Sequence, residues 1–294
     1  MKQIKLGVGI LFLLAYWSIG IAQNGYAVGP QYDTTHVYVA PEDFDRFVAS
    51  FTATFGGKTS KQGVFQVTPT ASQTLSQLAL TPAGTISVFG FKTPIPYPFG
   101  TERTGYLVND FDEAIAAARN IGADIIVTPF TDPIGRDAIV QWPGGINMQI
   151  YWHYTPPNYD PLTTIPENRI YVSADRANTF IQSFIQFAKG KIIADEPQAP
   201  GVEIGQPQTP YRRVAIESGF GKMLVIVTNG HLAWPYGHEM TGYEVSNLKE
   251  TLAKAQAAGV AILVAPFASG DRTSAMVKFP GGYIAEIHEL SKKN

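Results

Sequence analysis

Two hydrophobic spacings alternate along the chain. Short segments such as "HVYVA" (36–40) and "INMQIYWH" (146–153) place an apolar residue at every second position, which predicts strands with one buried face. Between such segments the apolar residues recur three or four apart. In "DFDEAIAAARNIG" (110–122), Phe111, Ile115, Ala118 and Ile121 share one helical face, and Gly122 supplies the C-terminal stop. Strand, helix, strand, strand, strand therefore recurs four times along the chain. An α+β protein in which each helix covers one face of its sheet is the expected result.

The recurrence extends to residue identity. "TGYLVNDFDEAIAAARNIGADIIVTPF" (104–130) lies over "TGYEVSNLKETLAKAQAAGVAILVAPF" (241–267), with Gly105 on Gly242 and Gly122 on Gly259, an offset of 137. The same offset sets "PFGTE" (98–102) on "PYGHE" (235–239) and Pro143-Gly144-Gly145 on Pro280-Gly281-Gly282. Upstream, "HVYVAPEDFDRFVASFTATFGGK" (36–58) matches "RIYVSADRANTFIQSFIQFAKGK" (169–191) at an offset of 133. Two homologous halves follow, spanning 30–153 and 168–290. They are joined by 154–167, an extended linker because its four prolines discourage helix and sheet.

Composition narrows the partners. With 22 basic and 24 acidic residues the formal charge is −2, and no basic run interleaves with aromatics, so nucleic acid is excluded as a partner. The absence of cysteine removes disulfides, thiol nucleophiles and thiolate ligands; a metal here must bind His, carboxylate or amide oxygen. Lys2 and Lys5 precede 17 apolar residues (6–22) that end in Gly20 and Ala22, the layout of a signal peptide over 1–22. Ala27 offers a second small-residue exit. A secreted or periplasmic protein without membrane contact after cleavage is expected; the competing reading is an uncleaved anchor, since 17 residues is near the minimum for a span.

The stretches "VNDFDEAIAAARNIGADIIVTPF…IGRDAIVQWPGGINMQIY" and "VSNLKETLAKAQAAGVAILVAPF…SAMVKFPGGYIAEIHEL" resemble the second module of the vicinal oxygen chelate superfamily, which includes glyoxalases, bleomycin-resistance proteins and extradiol dioxygenases. The resemblance covers both halves. It implies four βαβββ modules paired into two homologous half-barrel domains, each around a concave pocket. It also implies that metal-using members take His, Glu or Gln ligands from the first and last strands of each module.

Alternation sorts the faces of those strands. His36, Tyr38, Arg169 and Tyr171 fall opposite the helix-facing Val37, Val39, Ile170 and Val172. Gln149 and Tyr151 oppose Met148 and Ile150, and Glu286 and His288 oppose Ala285 and Ile287. The glutamate position of the resemblance falls on Gln149 and Glu286. Its histidine position falls on Arg103 and Met240, neither of which suits a divalent ion. Ligand binding is accordingly assigned to His36, Tyr38, Arg103, Gln149, Tyr151, Arg169 and Tyr171. In the second half, His238 and Glu244 share the face of Met240. His238, Glu286 and His288 form a candidate set for Zn, Mn, Fe or Ni, with Glu286 and Glu244 as candidate catalytic carboxylates. The competing reading makes Glu286 and His288 polar lining, or pairs them with Arg169.

Three functions follow in order. The first is an exported glyoxalase- or bleomycin-resistance-like protein binding a small molecule without a complete metal site. The second is a divalent-metal lyase, isomerase or dioxygenase acting in the second half. The third is a scaffold in which the halves pack on each other, with a homodimer left open.

Overall fold

A computed structural model describes residues 25–237 and 240–291. The signal-peptide segment 1–22 and His238 lie outside the described residues.

The first half runs β1 (Thr35–Tyr38), α1 (Phe44–Phe55), β2 (Lys58–Thr59), β3 (Gly63–Phe65), β4 (Thr74–Thr81) and β5 (Gly84–Phe91). It continues through β6 (Thr104–Leu107), α2 (Phe111–Asn120), β7 (Asp124–Thr131), β8 (Gly135–Trp142) and β9 (Ile146–His153). The second half repeats the plan as β10 (Glu167–Val172), α3 (Ala174–Ala188), β11 (Lys191–Ala199), β12 (Tyr211–Ser218) and β13 (Gly221–Val227). Its last module is β14 (Met240–Glu244), α4 (Leu248–Ala257), β15 (Ala261–Ser269), β16 (Arg272–Lys278) and β17 (Ile284–Leu290). Each half is one sheet, ordered β2-β4-β5-β1-β6-β9-β8-β7 and β11-β12-β13-β10-β14-β17-β16-β15. The four βαβββ modules thus pair as two half-barrels, each with an antiparallel contact between its modules' first strands.

Local chemistry repeats with the sequence. Asp110 caps α2 by accepting from Glu113 N–H at 3.0 Å, and Asn247 caps α4 from Glu250 N–H at 3.0 Å. Gly122 and Gly259 close the same two helices at φ +92° and +84°, a region that costs any other residue strain. One module departs from the plan. Its second strand is split into β2 and β3, both on β4, because the Ser60 hydroxyl takes the Leu78 N–H at 2.9 Å in place of a ladder carbonyl.

The helices of the two halves meet. One core joins the second module to the third: Tyr106 stacks on Phe220 at 4.3 Å between ring centroids, and Trp142 meets Phe187 at 5.1 Å. The other joins the first module to the fourth, where Phe51 packs on Phe279 at 5.4 Å and Tyr243 at 5.6 Å. The opposite, concave face of each sheet is left free for a cavity. Residues 154–166 carry no strand but are tied down: Tyr32 O–H donates to Pro157 O at 3.0 Å, and Thr164 O–H to Glu244 O at 2.8 Å. Ala27 is buried and bridges Val108, so an exit at Ala27 would sever a paired residue that an exit at Ala22 leaves intact. Among the described residues no helix is long and apolar enough to cross a membrane.

Phe51→Ala removes a fully buried ring at the junction of the halves and is expected to cost roughly 3–5 kcal/mol. Because each core draws on both halves, the variant should still unfold in one transition. Denaturant titrations followed by far-UV dichroism and by tryptophan fluorescence test this; separated transitions would show that the halves unfold independently.

Candidate functional site

The concave face of the first half encloses a cavity of about 230 Å³. Four strands meet at its floor, where His36 on β1 stands beside Ser87 on β5, and Gly105 on β6 stands beside Gln149 on β9. The walls are aromatic and aliphatic, with Tyr38, Phe89, Phe99, Tyr151, Leu78 and Ile134. Tyr159, from the Pro-rich segment, closes one side and packs on Tyr32 with centroids 5.2 Å apart. Gly105 has a steric reason: a Cβ there would lie 2.3 Å from His36 Nε2, so only glycine lets the imidazole lie across β6.

Acidic groups collect in this cavity. Asp137 on β8 accepts from Gln149 Nε2 at 2.7 Å, and Asp33 accepts from the Ser87 hydroxyl. Burial pushes the Asp137 carboxyl well above the usual carboxylate range; the Asp132 and Asp33 charges push it further, and the Gln149 N–H opposes them. Tyr151 is likewise raised, by burial first and then by Asp33. Behind the floor, Glu102 is fully buried and accepts the Tyr38 O–H. Its Oε2 and the nearby His36 Nδ1, 4.0 Å from Glu102 Oε1, have no hydrogen-bond partner among the described residues.

The same face of the second half is filled instead of open, with a cavity of only about 20 Å³, little more than one water needs. Arg169 stands where the first half has His36. Its Nη2 lies 3.0 Å from Glu286 Oε2 and 3.0 Å from Glu167 Oε2, and Arg272 Nη1 reaches the same Glu167 oxygen at 2.9 Å. His288 Nδ1 meets Glu286 Oε2 at 2.8 Å. Around them Arg213 binds Glu203 at 2.6 Å. Gly242, the counterpart of Gly105, is again required by close approach, because a Cβ would lie 2.8 Å from Arg169 Nη2 and 2.9 Å from Glu286 Oε2. Burial alone would raise Glu167 and Glu286, yet the Arg169 guanidinium holds both below the usual carboxylate range. Burial would lower Arg169, and Glu286 and Glu167 outweigh it.

The predicted residues separate into distinct places. His36, Tyr38, Gln149 and Tyr151 line the large cavity, while Arg169 and Tyr171 line the small one. Arg103 lies over the Tyr38 ring at 5.5 Å and faces a separate cleft of about 120 Å³ between β1 and the β16–β17 turn. Glu244 pairs with Lys222 at 3.2 Å and does not reach Glu286's cavity. Of the trio His238, Glu286 and His288, His238 lies outside the described residues, and Glu286 contacts both His288 and Arg169. Among the described residues no three His, Asp or Glu side chains are placed to hold a metal ion. Among the described residues the second half does not fit a divalent cation, since a permanently charged guanidinium lies between its carboxylates. In the first half too, the imidazoles and carboxylates that line the cavity are not grouped in threes around a point that could hold an ion.

Sequence reading missed Asp33, Glu102, Asp137 and Glu167. Alternation in "GRDAIVQW" (135–142) puts Asp137 opposite Ala138 and Val140, and Glu167 is two residues from Arg169, so period two points to both. Asp33 and Glu102 lie in irregular segments that no periodicity reaches.

The paired modules, concave sheets and helix layer define the vicinal oxygen chelate fold. A three-site mutant of 4-hydroxymandelate synthase from Streptomyces coelicolor matches at a TM-score of 0.59 and 11% identity, over 92% of this chain and 95% of that one. A Mn(II)-bound glyoxalase from Novosphingobium aromaticivorans matches at 0.54 and 12% identity, over 88% and 81%. A fusion of a xylose isomerase-like TIM barrel with 4-hydroxyphenylpyruvate dioxygenase matches at 0.56 and 13%, over 92% of this chain and 50% of that protein. The chain thus spans half the length of the fusion. No family model and no curated protein matches the sequence.

Glu286→Gln strips Arg169 of one buried partner and is expected to cost about 3 kcal/mol at pH 7. Both glutamates are lowered in the fold, so their contribution is complete above the ordinary value of 4.5 and drains away as pH falls below it. Denaturant melts at pH 7, 4 and 3 should therefore show the variant losing less stability on acidification than the parent. Parallel pH profiles would remove the network from this account.

Proposed function

We propose that this chain is an exported small-molecule binding protein of the glyoxalase and bleomycin-resistance type, with the ligand held in the first half-barrel and no divalent metal in either half. The observation that carries this reading is the contrast between the two concave faces. One is an aromatic-walled cavity of about 230 Å³; its homologue is packed with arginine–glutamate pairs. A concave, mostly apolar site with a few convergent polar groups is the usual form of a small-molecule pocket. The second half-barrel then serves as the partner against which the first buries its helices. Export rests on the charged and apolar pattern of residues 1–22.

The second reading keeps the metal chemistry that the neighbours' names carry, one of them a Mn(II)-bound glyoxalase. It requires His238 to join Glu286 and His288, and Arg169 to leave them. The Glu286–His288 contact favours it.

Elemental analysis of the purified protein separates the two. Substoichiometric metal, and no rise in melting temperature with added Mn²⁺ or Ni²⁺, is the expected result. Stoichiometric metal that disappears in Glu286→Ala would reverse the order of the readings. Filling the cavity with Ser87→Phe should abolish small-molecule binding while leaving the far-UV spectrum unchanged; binding that survives the substitution places the ligand elsewhere.

A further inference from the structure

The two homologous faces differ in how their buried acids are neutralised. In the second half Glu167 and Glu286 are matched from within by Arg169 and Arg272, each at 2.9–3.0 Å. In the first half the acids are Asp33, Asp132 and Asp137, and none of them makes an ion pair among the described residues. Asp33 takes the Ser87 hydroxyl, Asp137 the Gln149 amide and Asp132 the backbone N–H groups of Ile134 and Gly135. None of these donors carries a charge. At the position of the second half's guanidinium the first half carries His36, and the space beyond it is open.

We propose that the first-half cavity takes an organic cation, an arylalkyl ammonium or guanidinium, whose charge faces Asp33 and Asp137 and whose apolar body lies against the cavity's aromatic walls. The proposal rests on the reading of this cavity as a ligand pocket and names the chemical class that fills it. The second half provides the internal precedent, since there the chain places its own guanidinium against carboxylates on the corresponding face. The walls suit the apolar body of such a ligand, since Tyr38, Phe89, Phe99 and Ile134 line the same cavity. The volume of about 230 Å³ accommodates one aromatic ring and a short chain. Among the described residues Lys61 is the one lysine or arginine lining the cavity, and it is exposed.

Protonation supplies an independent readout. Asp137 is held above the usual carboxylate range by burial, Asp132 and Asp33, with Gln149 opposing; His36, Tyr151 and His153 also line the cavity. A cation prefers ionised Asp137, so over the pH range in which Asp137 is protonated binding expels its proton and tightens as pH rises. A neutral ligand lacks that linkage, and an anion has the opposite one.

Isothermal titration of the whole purified protein with three probes that share a phenylethyl body tests this. Phenethylammonium, 2-phenylethanol and 3-phenylpropanoate are titrated in two buffers of different ionisation enthalpy. Phenethylammonium should bind at least tenfold more tightly than the alcohol, with proton release. Asp137→Asn should lose tenfold or more in affinity together with the proton release. Asp132→Asn, at the partly exposed rim, provides a second variant should Asp137→Asn fail to fold, and should lose about threefold. Equal or tighter binding of the alcohol overturns the cation and keeps the pocket. Preference for the propanoate overturns the cation as well. Binding of phenethylammonium unchanged in Asp137→Asn and in Asp132→Asn overturns the proposed seat of the charge. Failure of all three probes to bind overturns the cation proposal; the pocket itself falls only if the Ser87→Phe substitution also leaves the protein's small-molecule binding unchanged.

Discussion

Each of the helices α1 to α4 carries an apolar face too large to leave in water, and the fold is arranged around where those faces go. They go into two cores shared between the halves, one formed by the first and fourth modules and one by the second and third. Phenylalanine rings from α1 enter the first of these and rings from α3 the second, and burial there is large and non-directional. With the helix layers committed to each other, the concave faces of both sheets turn away from the cores. That arrangement creates two equivalent hollows in the molecule and leaves their contents to the strand residues alone.

Duplication gave the two hollows the same backbone, and a few side chains gave them different fates. Glycine at 105 and 242 allows a long side chain on the first strand to lie across its neighbour. In one half that side chain is an imidazole, which leaves open space beyond it. In the other it is a guanidinium, which reaches two carboxylates and closes the space. Buried ion pairs of this kind are held by geometry, since desolvation consumes much of their Coulomb gain. The second half has an internally neutralised wall where the first has open volume, and among the described residues the acids lining that volume have no such partner.

The fold was largely legible in the residues. Period-two and period-3.6 spacing, the Gly122 and Gly259 stops and the 133 and 137 offsets specify four modules in two halves, because those features are local and repeat. The faces of β1, β9, β10 and β17 were legible for the same reason. The pairing of Glu286 with Arg169 was among the readings the strand pattern allowed, and the hydrogen-bond geometry selects it. The centre of interest lay in the second half by motif, where "AEIHEL" keeps a glutamate, but the open volume lies in the first.

By itself, then, the sequence determined the module count, the duplication, the strand faces and the candidate polar residues on them, since each depends on neighbours a few positions apart. Only the tertiary structure decided that helices pack across the halves, that Glu102 is buried behind Tyr38 and that Asp33 joins Asp137 in one cavity. Those outcomes depend on contacts between segments from 64 residues apart, as Tyr38 and Glu102 are, to 228 apart, as Phe51 and Phe279 are. Whether a hollow stays open is set by the summed volume and charge of such contacts, which no local pattern encodes.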